Sequence, residues 1–211
     1  MTAQAVPARF TVPRLRVADD PPAVDHRAAT KAAEEFLTAL GISTDTEAMS
    51  ETPARMARAY GEMLTPRPFD FTTFPNDEAY DELVLARAIP VQSLCEHHLL
   101  PFAGVAHVGY LPGERILGLS KVARVVELFS RRPQVQERLT KQVADWLHAH
   151  LQPSGVGVVI EAEHMCISLR GVRAAGGSTV TSTLLGTLRE DPRSRAEFLA
   201  LTLGPPGGMR S

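Results

Sequence analysis

Only two cysteines, Cys95 and Cys166, occur among the 211 residues, so a closed four-cysteine metal site and a disulfide framework are both excluded. One structural disulfide between such distant positions is conceivable, but a cytosolic chain rarely keeps one, which leaves metal binding or plain burial. An excess of either charge is also missing: 22 Lys plus Arg against 24 Asp plus Glu give a formal net charge of −2. Bulk electrostatics thus offer no reason to bind nucleic acid or an anionic membrane, and any anion recognition has to be local. No apolar run approaches the roughly 20 residues of a membrane span, and the N-terminal stretch lacks the apolar core of a signal peptide. Internal repeats and low-complexity tracts are absent too. These absences point to a cytoplasmic protein without a membrane or nucleic-acid partner.

What is present is 44% hydrophobic content, enough for one sizeable core. Residues 1–25, rich in proline and in small and charged types, read as a flexible or docking arm with no core. A helix is predicted over Arg27–Leu40, with Gly41 as its stop, and a second over 52–64, with Ser50 or Thr52 as N-cap and Pro53 at its first position. Residues 67–82 read as loop. Beyond them the hydrophobic period changes: strands are predicted over 83–94 and 102–112, and amphipathic helices over 120–132 and 134–151. One strand, or two joined by a bend, follows over 155–171, then a threonine-rich strand over 178–188 and a closing helix over 191–202. Strands, two helices, then strands imply an α+β fold, an antiparallel sheet with helices on one face. The division expected is an arm (1–25), a helical N-terminal region (26–80), a catalytic domain (81–203) and a tail (204–211).

The run SLCEHHLLPF, Ser93 to Phe102, interrupts strand-like sequence with a thiol, a carboxylate and two imidazoles. Cys95 and His98 form a Cys-x-x-His pair, Cys166 in EHMC is the only other thiol, and catalytic zinc typically takes three protein ligands and leaves a fourth position for water. The same residues suit a plainer role as buried small hydrophobes and ordinary hydrogen-bonding histidines. The echo between the segments, each with Glu, His and Cys within a few residues, favours the metal. His164 would share a strand face with Cys166, two residues on, and His97 and His164 are of the residue type best suited to shuttle protons.

GLSKVAR opens a helix at Ser120, whose free N–H groups and dipole favour an anion, with Lys121 in the first turn and Arg124 one turn on. A capping serine followed by two solvated cations fits that pattern equally well. Arg170, four residues past Cys166 on the same strand parity, would face the same cleft. Gln136 and Glu137 in VQERL could read a guanine edge or lie on a solvated surface.

Together CEHHLLPFAG, GLSKVARVVELFSRRPQVQERLTKQ, EHMC, RGV and TVTSTLLGTLREDP resemble the GTP cyclohydrolase I family, from about the first helix through Leu203. The resemblance implies the tunnelling fold, in which strands of several subunits join into a barrel, and a homodecamer of two stacked pentameric rings with active sites between subunits. It implies zinc on Cys95, His98 and Cys166, proton transfer by His97 and His164, guanine held by Glu137 with Gln136, and Ser120 near the ribose. Lys121, Arg124 and Arg170 would bind the triphosphate, joined by Arg58 and Arg55 from a neighbouring subunit. The implied reaction opens the guanine imidazole ring of GTP at C8, releases formate, rearranges the ribose and closes to 7,8-dihydroneopterin triphosphate. Relatives that stop at the ring-opened formamide, use another purine nucleotide, or only bind a pterin or purine are the alternatives. Two departures stand out: Arg58 replaces the lysine of many relatives, and the loop Ala174 to Ser178 is small and glycine-rich.

Overall fold

The computed structural model describes residues 15–17 and 23–203. The chain runs through strand β1 (Leu15–Val17), helices α1 (His26–Ala39) and α2 (Thr52–Leu64), and strands β2 (Phe69–Phe71), β3 (Thr73–Pro75), β4 (Val84–Cys95), β5 (Pro101–Leu111) and β6 (Arg115–Leu117). Helix α3 (Leu119–Ser130), strand β7 (Pro133–Gln134), helix α4 (Gln136–Leu151), strand β8 (Gly155–His164) and the single turn α5 (Met165–Ser168) follow. Strand β9 (Thr179–Gly186) and helices α6 (Thr187–Glu190) and α7 (Pro192–Leu203) complete it.

The α+β architecture expected from the sequence is present. Its main sheet has the order β7-β4-β5-β8-β9, antiparallel throughout except for a two-residue parallel pairing of β7 with the end of β4. Alternation along β5 and β8 turns Phe102, Ala106, Val108, Val158 and Ile160 to one face, where α3 and α4 lay down Val125, Leu139, Val143 and Leu147. Each fully buried branched side chain of this kind contributes about 1.5–3 kcal/mol. The closing helix departs from the one-face expectation. Phe198 of α7 lies on the opposite face, over Gly109 and Gly157, where any Cβ would sit 2.9 Å and 2.7 Å from its ring. Glycine is what admits the ring there, at the end of the sheet away from Cys95.

Several local expectations fail for identifiable reasons. The hydroxyl cap on α2 does not form: Glu51 holds the N-cap position without a side-chain bond, while Ser50 Oγ donates to Glu47 O at 3.1 Å and Thr52 Oγ1 lies 3.7 Å from Met49 Sδ. The preceding turn has already engaged both hydroxyls. Residues 67–82 are not simply loop, because β2 pairs with β1 and β3 with β6, and Phe71 packs edge-on against Trp146 at 4.7 Å. β1 falls within the arm read as flexible or docking and without a core, and Asp25 at its end caps α1, accepting from Ala28 N at 2.9 Å; residues 1–14 and 18–22 of that arm and the tail 204–211 lie outside the described residues. The stretch 155–171 is one strand ending at His164 and then a helical turn, not two strands.

Candidate active site

β4 delivers Cys95 to the rim of the sheet, and the chain then folds back on itself. Cys95 O accepts from His98 N at 3.3 Å and Leu99 N at 2.7 Å, and Leu99 closes the turn with φ 52°, a left-handed conformation costly for a branched side chain. The fold-back places Cys95 Sγ 3.8 Å from His98 Nδ1 and 3.9 Å from His97 Nδ1. The turn is anchored from outside. Glu96 N donates to Gln134 O at 3.0 Å, and the Glu96 carboxylate pairs with Arg138. That hydrogen bond holds the Glu96 carboxyl below its ordinary value. Arg138 Nε in turn donates to Gln134 Oε1 at 2.9 Å, and Gln134 Nε2 reaches Phe129 O and Gln142 Oε1, both at 2.8 Å.

The second arm comes from β8 and α5. Cys166 sits on the helical turn, so strand parity does not place it; the turn does, and the donor atoms of Cys95, His98 and Cys166 all lie within 4.8 Å of one another. Both cysteines are buried and His98 is exposed. Burial pushes the Cys166 thiol up, and the neighbouring Cys95 thiol adds to the effect. Two thiols this close repel once ionised, and a bound cation reverses that preference. A tetrahedron with Zn–S bonds of about 2.3 Å has an edge of about 3.8 Å, so this donor set fits zinc in type, number and spacing.

A cavity of about 290 Å³ opens beside the cluster, lined by Cys95, His97, His98, Glu137, His164 and Cys166 among others. His164 is stacked on the Phe102 ring at 4.5 Å and 11°, and its Nε2 lies 2.7 Å from Gln136 Oε1. Burial lowers its pKa below the ordinary histidine value, with Glu137 acting in the opposite sense. Gln136, expected beside Glu137 on the base, is instead buried and turned inward, its Nε2 directed at Ile160 O (3.0 Å), Thr179 O (2.9 Å) and Thr181 Oγ1 (3.2 Å). Glu137 is exposed in the cavity wall and has no hydrogen-bond partner among the described residues.

The basic residues do not join this cavity. α3 begins at Leu119 with Gly118 as its cap residue, so Ser120 is an exposed first-turn residue and caps nothing. Lys121 follows it on the same helix, and Arg124 donates to Glu127 Oε2 at 3.0 Å. Arg67 also grips Glu127 with two bonds of 2.7 and 2.8 Å, and these hold its carboxyl low. Arg170 lies exposed beyond α5, so the parity argument for it fails as it does for Cys166. Arg55 bonds Ala48 O at 3.0 Å and Thr52 Oγ1 at 3.2 Å, and Arg58 is exposed on α2. The supporting roles of Phe102, Gln134 and Arg138 escaped the sequence reading. An aromatic just after the two histidines, in HHLLPF, was the one local hint for Phe102; the other two act through partners distant in sequence.

The model of the GTP cyclohydrolase I family matches residues 29–203. A Thermobifida fusca protein named GTP cyclohydrolase 1 is 50% identical over 189 residues, 87% of this chain and 91% of the relative. Its namesake from Streptomyces avermitilis is 52% identical over 184 residues, covering 85% and 91%. That from Aquifex aeolicus is 49% identical over 182 residues, covering 86% and 99%.

Proposed function

The chain belongs to the GTP cyclohydrolase I family, and we propose that Cys95, His98 and Cys166 hold zinc for the family's reaction while His97 and His164 move its protons. Enzymes of this family convert GTP to dihydroneopterin triphosphate, and this chain is an enzyme of that type. The observation that carries the residue assignment is the convergence of the Cys-His-Cys cluster, Glu137 and both histidines on one cavity.

When bound, zinc supplies Lewis acidity that brings the pKa of a water toward about 7. The chain's own groups do the rest. Glu137 accepts from the adjacent N1–H and exocyclic amino donors of guanine, an edge that adenine does not present. Its neighbours Gln134, Gln136 and Arg138 are engaged with the protein, so Glu137 is the side chain of that segment left for the base. His97, with a side chain 65% exposed, exchanges protons with solvent, whereas His164 acts from a drier position on Phe102. Opening the ring at C8 needs proton acceptance from the attacking water and donation to the leaving ring nitrogen, and two imidazoles at one cavity provide both. Ser120 serves the ribose during rearrangement, and Lys121, Arg124, Arg170, Arg58 and Arg55 serve the triphosphate.

Those last residues stand outside the cavity of a single chain, which supports sites shared between subunits. At about 290 Å³ the cavity is at the lower limit of the about 300–1,000 Å³ common for ligand pockets. Near it Leu99, Ile167 and Leu169 are exposed. Among the described residues β9 has an open outer edge and β7 covers only Leu94 and Cys95 of β4, so both sides of the sheet can accept another strand. A homodecamer of two pentameric barrels answers all four features. The division into arm, helical region, catalytic domain and tail belongs to the same reading, as does a cytoplasmic location, where GTP is available; no described helix is long and apolar enough to cross a membrane.

Incubation of the zinc-loaded protein with GTP tests the reaction. Formate together with fluorescent neopterin, after oxidation and dephosphorylation, is the expected outcome. Formate alone would show a reaction halted before rearrangement, and neither product from assembled, metal-loaded protein would overturn the assignment.

A further inference from the structure

We infer that Gln136 is a positioning residue that fixes the ring orientation and tautomer of His164, with the hydrogen on Nε2 and Nδ1 turned to the cavity. The inference rests on the reading above in which His164 moves protons during the reaction of GTP. The amide has two hydrogens, and both are directed into the protein, so Gln136 offers the base no donor.

The assignment follows from counting hydrogens. Gln136 Nε2 faces two backbone carbonyls, Ile160 O at 3.0 Å and Thr179 O at 2.9 Å. Exchanging the amide's oxygen and nitrogen would set Oε1 against two acceptors, so the chemistry of the surroundings fixes the orientation. The nearby hydroxyls agree. Thr140 Oγ1 donates to Gln136 O at 2.8 Å, so the 2.6 Å contact between the Thr140 and Thr181 hydroxyls takes its hydrogen from Thr181. Thr181 Oγ1 therefore keeps a lone pair toward Gln136 Nε2, 3.2 Å away. Oε1 has only lone pairs to offer His164 Nε2 at 2.7 Å, and a hydrogen bond of that length requires the imidazole to donate.

The Phe102 stack fixes the plane of the same ring. His164 Nδ1 has no partner among the described residues and is not among the sealed, unpaired atoms, so it is left to the open cavity that His164 lines. The Gln136 contact and the Phe102 stack thus hold one orientation and one tautomer of the ring. A neutral amide does this beside Ile160 and Thr179 carbonyls, where a carboxylate would be repelled.

Gln136→Met keeps the length of the side chain and removes its bonds. Single-turnover kinetics of the zinc-loaded variant with GTP separate binding from chemistry. The chemical rate is expected to fall by about 10²-fold or more, with the GTP Kd within about twofold and zinc content and assembly unchanged. A weakened Kd with an unchanged rate would overturn the inference in favour of direct base contact. Neutron crystallography of the unsubstituted protein decides the matter even if the variant does not fold, or if the wild type turns out to have another substrate. Deuterium on His164 Nε2, with the Gln136 amide deuterons on the two carbonyls, is expected. A bare Nε2 with deuterium on Nδ1 alone would contradict it.

Discussion

Cys95 to His98 and His164 to Cys166 each set histidine beside cysteine, yet the His97 side chain is 65% exposed while His164 lies half-buried on the Phe102 ring. The supports differ in the same way. The first arm is held by an ion pair at the surface, Glu96 with Arg138, and the second by an amide, Gln136, whose partners are backbone carbonyls. Charge is inexpensive to keep where water reaches it, and costly beside a buried ring, where a neutral amide orients without adding an ion. The difference teaches that similar residues can face water or be shielded from it, according to what stands behind them.

Removing a metal ligand should show the largest effect, because it disconnects the two arms. Cys166→Ser is expected to lower zinc occupancy and turnover together; unchanged zinc by elemental analysis would take Cys166 out of the ligand set. The proton carriers come next. His97→Ala and His164→Ala should each lower turnover by about 10²-fold or more with zinc and assembly intact, and near-normal turnover in both would remove their assigned role. A smaller effect is expected from the outer support of the wet arm. Arg138→Met should weaken zinc affinity by about 10-fold to 100-fold, measured by competition with a chelator, and unaltered affinity would mean that the turn stands without its ion pair.

Glu127, away from both arms, gives the smallest effect and a control for charge alone. Hydrogen bonds from Arg67 hold its carboxyl below the ordinary value of 4.5, with Arg124 helping. A depressed carboxyl adds stability above its unfolded pKa and loses it as pH falls through the folded one. Glu127→Gln should therefore cost about 1 kcal/mol near pH 7, a figure kept small because Arg67 is largely solvated, and nearly nothing at low pH. Urea midpoints of the two proteins at each pH measure the difference. A gap that persists in acid would assign the loss to packing.

Much of this was legible in the chain because it is local. The Cys-x-x-His pair reads directly from spacing, and α3 and α4 from apolar periodicity that lands on Val125, Leu139 and Val143. The four-residue α5 is too short to show any period, so strand parity was extended from His164 through Cys166 to Arg170 although the chain is helical there. The helix was read as opening at Ser120, with a capping serine as the plainer alternative, whereas Gly118 takes the cap position and Leu119 already begins the helix. Gln136 was out of reach for another reason: its partners Ile160, His164 and Thr179 come from β8 and β9, and only sheet pairing brings them to it. The residues proposed for the triphosphate were legible as charge but not as place, since none of them lines the cavity of the single chain.

The most direct test of the central claim, that both arms close on one metal, is zinc K-edge X-ray absorption of the zinc-loaded protein. Two sulfurs at about 2.3 Å and one imidazole nitrogen at about 2.0–2.1 Å are predicted. A shell of nitrogen and oxygen alone, without sulfur, would contradict the account.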